Sequence, residues 1–238
     1  MDIYKLTDDL TKKHKRDIME VESSEDAGVS DYKITGMREG VRNPERVNVY
    51  VNNKYAFSLD ISQVVELGVK VGRVISSAEL EEFKKASEFG KMYQRALEWV
   101  LMRPRSTKEC RDYLYKKIYE KKLDKKYIDL IIEKLQAKKY LDDRRFAEYY
   151  VENRFVKKGV SEKRLRMELM KKGVSKDVVD EVMAGSERND REEILKIIVK
   201  KRNRYDDEKL VAYLCRQGFS YQLSKELVEE SSSDSMDE

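Results

Sequence analysis

The sequence predicts a mainly α protein: three tandem three-helix repeats in an elongated, curved array, preceded by a small strand-rich N-terminal domain. Three observations carry that prediction. The spacing of apolar residues changes near Ser76 from about two to about 3.6, the change from strand to helix. Leu169 is followed by Gly173, Val178 and Val182, and Leu214 by Gly218, Leu223 and Leu227, at the same offsets. Two prolines and ten glycines in 238 residues leave room for long helices, and the matched 40% charged and 40% hydrophobic fractions suit helices with one wet face.

Residues 1–31 read as a disordered tail, because Glu22 to Ser30 is acidic and small with too few apolar residues to bury. His14, the single histidine, falls there, without a partner to make it a metal ligand or a general base. Residues 32–90 form the small β-rich domain with a connecting helix. Tyr32 to Met37 predicts one strand and Gly40 to Glu45 a loop. Arg46–Val51 and Tyr55–Leu59 alternate with period two around Asn52-Asn53, a pair tolerant of positive φ, and so form a hairpin. Ile61, Val64, Val65 and Leu67 suit a short helix ended by Gly68, and Val69 to Ile75 a fourth strand. Ser76 and Glu79 have the spacing of a capping box for the next helix, with a bend expected at Gly90.

The helical repeats are expected at 91–142, 143–189 and 190–230, followed by an acidic disordered tail at 231–238. In the first, the apolar faces are Tyr93, Ala96, Leu97, Val100 and Leu101, then Cys110, Tyr113, Leu114 and Ile118, then Ile128, Ile131, Ile132 and Leu135. The second begins at Asp142-Asp143, either of which can cap a helix whose face is Phe146, Ala147, Tyr150 and Val151. Leu165 and Leu169, then Val178, Val179 and Val182, complete it. The third uses Ile194, Leu195, Ile198 and Val199, then Leu210, Val211 and Leu214, then Leu223, Leu227 and Val228. The glycines are helix stops expected in the left-handed conformation. Leu114 is the counterpart of Leu169 in the first repeat, where Ile118 and a longer Lys121 to Lys126 connection stand in place of the glycine turn.

Charge is unevenly spread. Residues 91–180 hold 26 Lys and Arg against 15 Asp and Glu, an excess of eleven, while the rest of the chain has 24 against 31, so a net charge of +4 hides a basic centre between acidic ends. Such a centre attracts phosphates through counterion release, unless its charges are spent on ion pairs along a solvated helical face. The candidate contacts are Arg103, Arg105, Lys108, Arg111, Lys116, Lys117, Arg144, Arg145, Arg154, Lys157, Lys158, Lys163, Arg164 and Arg166. Lys108, Arg111 and Tyr115 recur on one helix face and Lys163, Arg166 and Met170 on another. If equivalent helices lie side by side, the two stripes merge. No phosphate-cradling glycine loop and no Cys/His cluster with ligand spacing is present, so no enzyme activity, cofactor or metal is expected. Cys110 and Cys215 are expected as buried reduced thiols, Asp142-Asp143 as a cap rather than a metal site, and Trp99 as a packing residue. Without an 18-residue apolar run or a secretory signal, the chain reads as cytoplasmic, away from membranes.

Arg105-Ser106-Thr107-Lys108-Glu109 ahead of a helix carrying Leu114, then Tyr140-Leu141-Asp142-Asp143-Arg144-Arg145-Phe146-Ala147, then Arg164 to Gly173 with its Leu-x-x-x-Gly stop, resemble the RecX family of recombination regulators in the order that family shows. The leucine-aspartate-aspartate followed by phenylalanine-alanine is the most specific piece. The likeness covers about residues 91 to 229, and Tyr32 to Phe83 resembles the N-terminal extension of some members; the missing glycine near Ile118 and the two tails depart from the pattern. The resemblance implies a non-enzymatic modulator that binds along or at the end of RecA recombinase filaments on single-stranded DNA, lowering ATP hydrolysis and strand exchange, with inhibition the expected direction, or altering filament disassembly; the chain is expected to act as a monomer. The other reading is a helical-repeat module that binds nucleic acid directly, without a recombinase.

Overall fold

A computed structural model of the chain describes residues 32–41, 43–157 and 159–233, so the expected tail at 1–31, with His14, and residues 234–238 lie outside the described residues. The chain divides into two compact units at Lys85/Ala86.

The first unit is a four-stranded antiparallel sheet in the order β3-β2-β1-β4, from β1 (Tyr32–Glu39), β2 (Arg46–Val51), β3 (Lys54–Asp60) and β4 (Val74–Ile75). The hairpin turn is made as expected: Asn52 and Asn53 take φ of 48° and 64°, conformations that asparagine tolerates better than most residues. The fourth strand is shorter than expected, two residues instead of seven. Between β3 and β4 lies α1 (Ile61–Glu66), closed by a reciprocal capping box in which Asp60 accepts from the Gln63 N–H and Gln63 from the Asp60 N–H. Ile34, Val49, Phe57, Leu59 and Ile75 form the apolar face, joined by Leu80 and Phe83 from the first turns of α2 (Ser77–Leu101). Ser76 and Glu79 cap that helix reciprocally. It runs unbroken past Gly90, so the expected boundary at 90/91 falls inside a helix.

The second unit contains the three repeats: the later part of α2 with α3 (Thr107–Lys121) and α4 (Lys126–Ala137), then α5 (Asp143–Lys157), α6 (Glu162–Lys171) and α7 (Lys176–Ala184), then α8 (Asp190–Lys201), α9 (Asp207–Arg216) and α10 (Tyr221–Ser233). A short 3-10 turn, Arg202–Arg204, joins α8 to α9. The last helix passes the boundary expected at 230 by three residues. Each repeat has its own core, centred on the equivalent leucines Leu114, Leu169 and Leu214, all fully buried. Burying such a side chain stabilises by roughly 1.5–3 kcal/mol. Three expected core residues face solvent instead: Leu101, Leu195 and Val199 are 61%, 40% and 80% exposed, while Met92 and Ile197 are buried. In α8 the burial of Ile194, Ile197 and Ile198 turns the helix so that Leu195 and Val199 lie beyond the edge of the core.

The repeats meet through their middle helices. Ser106 caps α3 by accepting from the Glu109 N–H (3.1 Å) and donates its hydroxyl to the Lys172 carbonyl at the end of α6 (2.7 Å). One repeat later, Ser161 caps α6 through the Arg164 N–H (3.1 Å), and its own N–H donates to the Gln217 carbonyl at the end of α9 (3.3 Å). The start of each middle helix thus receives the end of the next, where carbonyl ends face N–H ends and the peptide dipoles run in series. The Asp142-Asp143 pair supplies two caps. Asp142 Oδ1 accepts from the Arg144 and Arg145 N–H groups of its own helix, whereas Asp143 Oδ1 accepts from the Thr107 N–H in the preceding repeat (2.7 Å). Asp190 repeats the second arrangement on the Glu162 N–H (2.9 Å).

Candidate anion-binding surface

The end-to-start contact, rather than a side-by-side one, decides where the basic residues go. Arg111 on α3 bridges to Asp129 on α4 (2.7 Å), and Arg166 on α6 bridges to Asp180 on α7 and to Glu162 (2.8 Å). The two pairs occupy equivalent positions and tie the second helix of each repeat to the third. The hydrogen bonds that Arg166 donates to Glu162 and Asp180 outweigh burial and raise its guanidinium above its ordinary value. In each of the two stripes predicted to merge, the arginine is thus neutralised within its own repeat.

Other predicted cations bind backbone at the junctions. Lys108 Nζ donates to the Lys171 carbonyl (3.0 Å), and Arg164 to the Arg216 carbonyl (3.2 Å), to Gln217 and to Glu168. Arg103 donates to the Pro104 carbonyl and to Glu109, whose other oxygen takes Lys172 Nζ (2.6 Å). Burial pushes the Glu109 carboxyl up, but the Lys172 hydrogen bond and the Arg103 charge outweigh it and hold the group below the usual carboxylate range. Lys117 pairs with Glu120, and Arg144 with Glu148 and Glu181. Arg154 and Lys157 lie on α5 with side chains outside the described set, and Lys158 lies outside the described residues.

The rest is exposed or clustered. Lys116, Arg145 and Lys163 are exposed, without a side-chain ion pair among the described residues. Arg145 shares a small hollow of about 90 Å³ with Arg103, Arg105, Tyr140 and Asp142. Arg105 lies 4.0 Å from the centre of the Trp99 ring, and Tyr113 stacks parallel to that ring at 4.5 Å. Two partners this close must take opposite faces, which makes Trp99 a packing residue as expected. Burial, then repulsion from Arg103, lowers the Arg105 guanidinium from its ordinary value.

Sequence reasoning missed a second basic cluster. Lys91 and Arg95 on α2 lie close enough to Lys121 on α3 that burial and then their charges lower its ammonium, with Lys117 adding to the repulsion. Its signal was two i,i+4 basic pairs, 91/95 and 117/121, on consecutive helices. It also missed the acids that neutralise Arg111 and Arg166, although Asp129 and Asp180 each directly follow a buried aliphatic residue near the start of the third helix, Ile128 and Val179. Cys110 is buried and free, its thiol pushed up to about 11 by burial, and Cys215 is free and half-buried. Among the described residues, no group of three or more His, Cys, Asp or Glu could hold a metal ion, and no helix is long and apolar enough to cross a membrane.

Known proteins share this organisation. A family model described as "RecX, second three-helix domain" matches residues 142–183, and one described as "Regulatory protein RecX N-terminal domain" matches residues 32–76. The regulatory protein RecX of Clostridium botulinum is 30% identical over 208 residues, covering 83% of this chain and 95% of that protein. That of Listeria welshimeri is 30% identical over 201 residues, covering 81% and 73%. A crystal structure of a regulatory protein RecX matches with a TM-score of 0.64 at 22% identity, covering 84% of this chain and 99% of that one, a likeness of fold. With three residues in ten shared along nearly the whole length of the clostridial protein, this chain belongs to the RecX family of regulatory proteins.

Proposed function

We propose that this chain regulates a RecA recombinase by binding, as a monomer, to its filament on single-stranded DNA, and that it lowers ATP hydrolysis and strand exchange. Membership of a family of regulatory proteins carries this reading, and the excess of eleven positive charges over residues 91–180 supports an anionic partner. The contacts fall to the cations that fold-internal pairs leave over: Lys116, Arg145 and Lys163, with the cluster of Lys91, Arg95 and Lys121. The paired Arg111 and Arg166 each tie two helices of their own repeat and contribute less. Regulation needs no chemistry from this chain. A basic repeat array that holds several phosphates and the surrounding recombinase at once favours one state of the filament over others by differential binding.

Titration of this protein into recombinase turning over ATP on single-stranded DNA tests the reading. ATP hydrolysis should fall with saturation. An unchanged rate at saturating protein, with oligonucleotides still bound, would establish the direct nucleic-acid module instead.

A further inference from the structure

We propose that the overhanging end of α3 is a base-stacking site for single-stranded nucleic acid, built from Tyr115 and Tyr119 with Lys122 and Lys125 at its rim. It deepens the function proposed above and rests on it for the identity of the ligand, but not on the recombinase being present.

The middle helix of the first repeat has 15 residues, against ten in each of the other two. Its extra length, beyond the position that matches the end of α6, carries Tyr119, one turn past Tyr115, and the two are 76% and 51% exposed. At i and i+4 they stand on one helix face, about 5–6 Å apart at Cβ, and neither ring meets another ring among the described residues. Beside them is an open hollow of about 560 Å³, lined by both tyrosines with Ile118, Lys122, Leu123 and Lys125, within the size range of small-ligand pockets. Its single carboxylate, Glu120, is paired with Lys117 at 3.0 Å.

Lys122 takes a left-handed conformation, φ 55°, where the helix ends, and its N–H donates to the Tyr119 carbonyl. A lysine bears more strain in that backbone than glycine would. Lys125 Nζ lies over the Tyr115 ring, 5.8 Å from its centre, so that a cation flanks one face of the aromatic.

This chemistry matches a single strand. Every base offers a flat face to a tyrosine whatever its identity, and the backbone on either side brings phosphates to the rim lysines. A docking peptide would need aliphatic contacts, and here Ile118 is already in the core and Leu123 is half-buried. Trp99, in the same repeat, has both faces occupied.

The test uses the full chain with a fluorescent oligothymidylate, first alone and then with recombinase turning over ATP. Tyr115→Ala with Tyr119→Ala should weaken oligothymidylate binding about fivefold or more with an unchanged salt slope, and the double Phe variant should keep its affinity. Lys122→Ala with Lys125→Ala should instead flatten the salt slope, by about 0.7 for each phosphate no longer held. Equal affinity of the double Ala variant and the parent, with native circular dichroism, would overturn the proposal. If the parent binds no oligothymidylate yet lowers ATP hydrolysis, and the double Ala variant does not, the hollow takes an acidic protein segment: the inference fails while the proposed function stands. A parent that neither binds the strand nor affects hydrolysis removes both.

Discussion

The middle helices of the first and the later repeats end differently, although their cores are alike. In α6 and α9 the chain turns at Gly173 and Gly218, with φ of 87° and 96°, and in α3 it turns at Lys122 with φ of 55°. All three are left-handed, so backbone conformation alone does not choose glycine. The difference is what lies against the turn. A Cβ on Gly173 would stand 2.6 Å from that of Lys108, and one on Gly218 would collide with the Ser161 hydroxyl and sit 3.2 Å from Arg164. Among the described residues no repeat precedes α3, and the first repeat keeps a side chain there and runs on. The glycine of the Leu-x-x-x-Gly pattern therefore marks a docking face as much as a helix stop.

If the repeats differ at their ends and not in their cores, Leu114→Ala, Leu169→Ala and Leu214→Ala should each lower stability by about 2–5 kcal/mol in urea unfolding. A change below about 0.5 kcal/mol at any of them would break the equivalence. At the ends the repeats should part. Gly218→Ala should cost about 2–4 kcal/mol, from left-handed strain and the clash with Ser161 together. Cap removal should restore the symmetry: Asp143→Ala and Asp190→Ala each act on the repeat before their own, at about 1 kcal/mol apiece by thermal unfolding. Lys122→Gly should have the opposite sign to Gly218→Ala, a gain of about 0.5 kcal/mol, because only strain is relieved there. A loss would mean that the lysine side chain is held by something that offsets its strain.

The final difference is confined to acid. The first junction is joined by the Lys172–Glu109 ion pair, while at the equivalent place in the second Arg164 donates to neutral Gln217. The Glu109 carboxyl is held below its ordinary value, so its contribution is complete above about pH 4.3 and is lost as pH falls through the lower folded value. Glu109→Gln should flatten the fall in stability over that range and leave the curve near pH 7 parallel to the parent's.

Much of this was legible from local patterns. Asn52-Asn53 set the hairpin, Ser76 and Glu79 the start of α2, and the two Leu-x-x-x-Gly stops the repeat. Such features act between residues close in sequence, where spacing is geometry. The face of α8 was not legible, because apolar residues at both 194/195 and 198/199 fit two helix rotations about 100° apart, and Ile197 decided between them only through packing. Pairing of the basic surface was hidden for a related reason. Arg111 finds Asp129 and Lys172 finds Glu109 across turns and repeat boundaries, so a local excess of positive charge did not reveal how much of it the fold had already neutralised.

Asp143 and Asp190 give the array a direction in time as well as in space. Each belongs to a later segment than the helix start it completes, so a growing chain leaving the ribosome carries its newest middle helix with an open amide until the next repeat emerges. The third repeat uses contacts of its own. Asp206 caps α9 through the Lys209 N–H, and Ser232, from the turn of α10 beyond residue 230, donates to Asp207. A chain cut after Gly185 would lose the Asp190 cap of α6, whereas one lacking the first repeat would leave α6 capped and merely bare the glycine face at its end. Damage from the carboxyl end should therefore travel one repeat further inward than damage from the amino end.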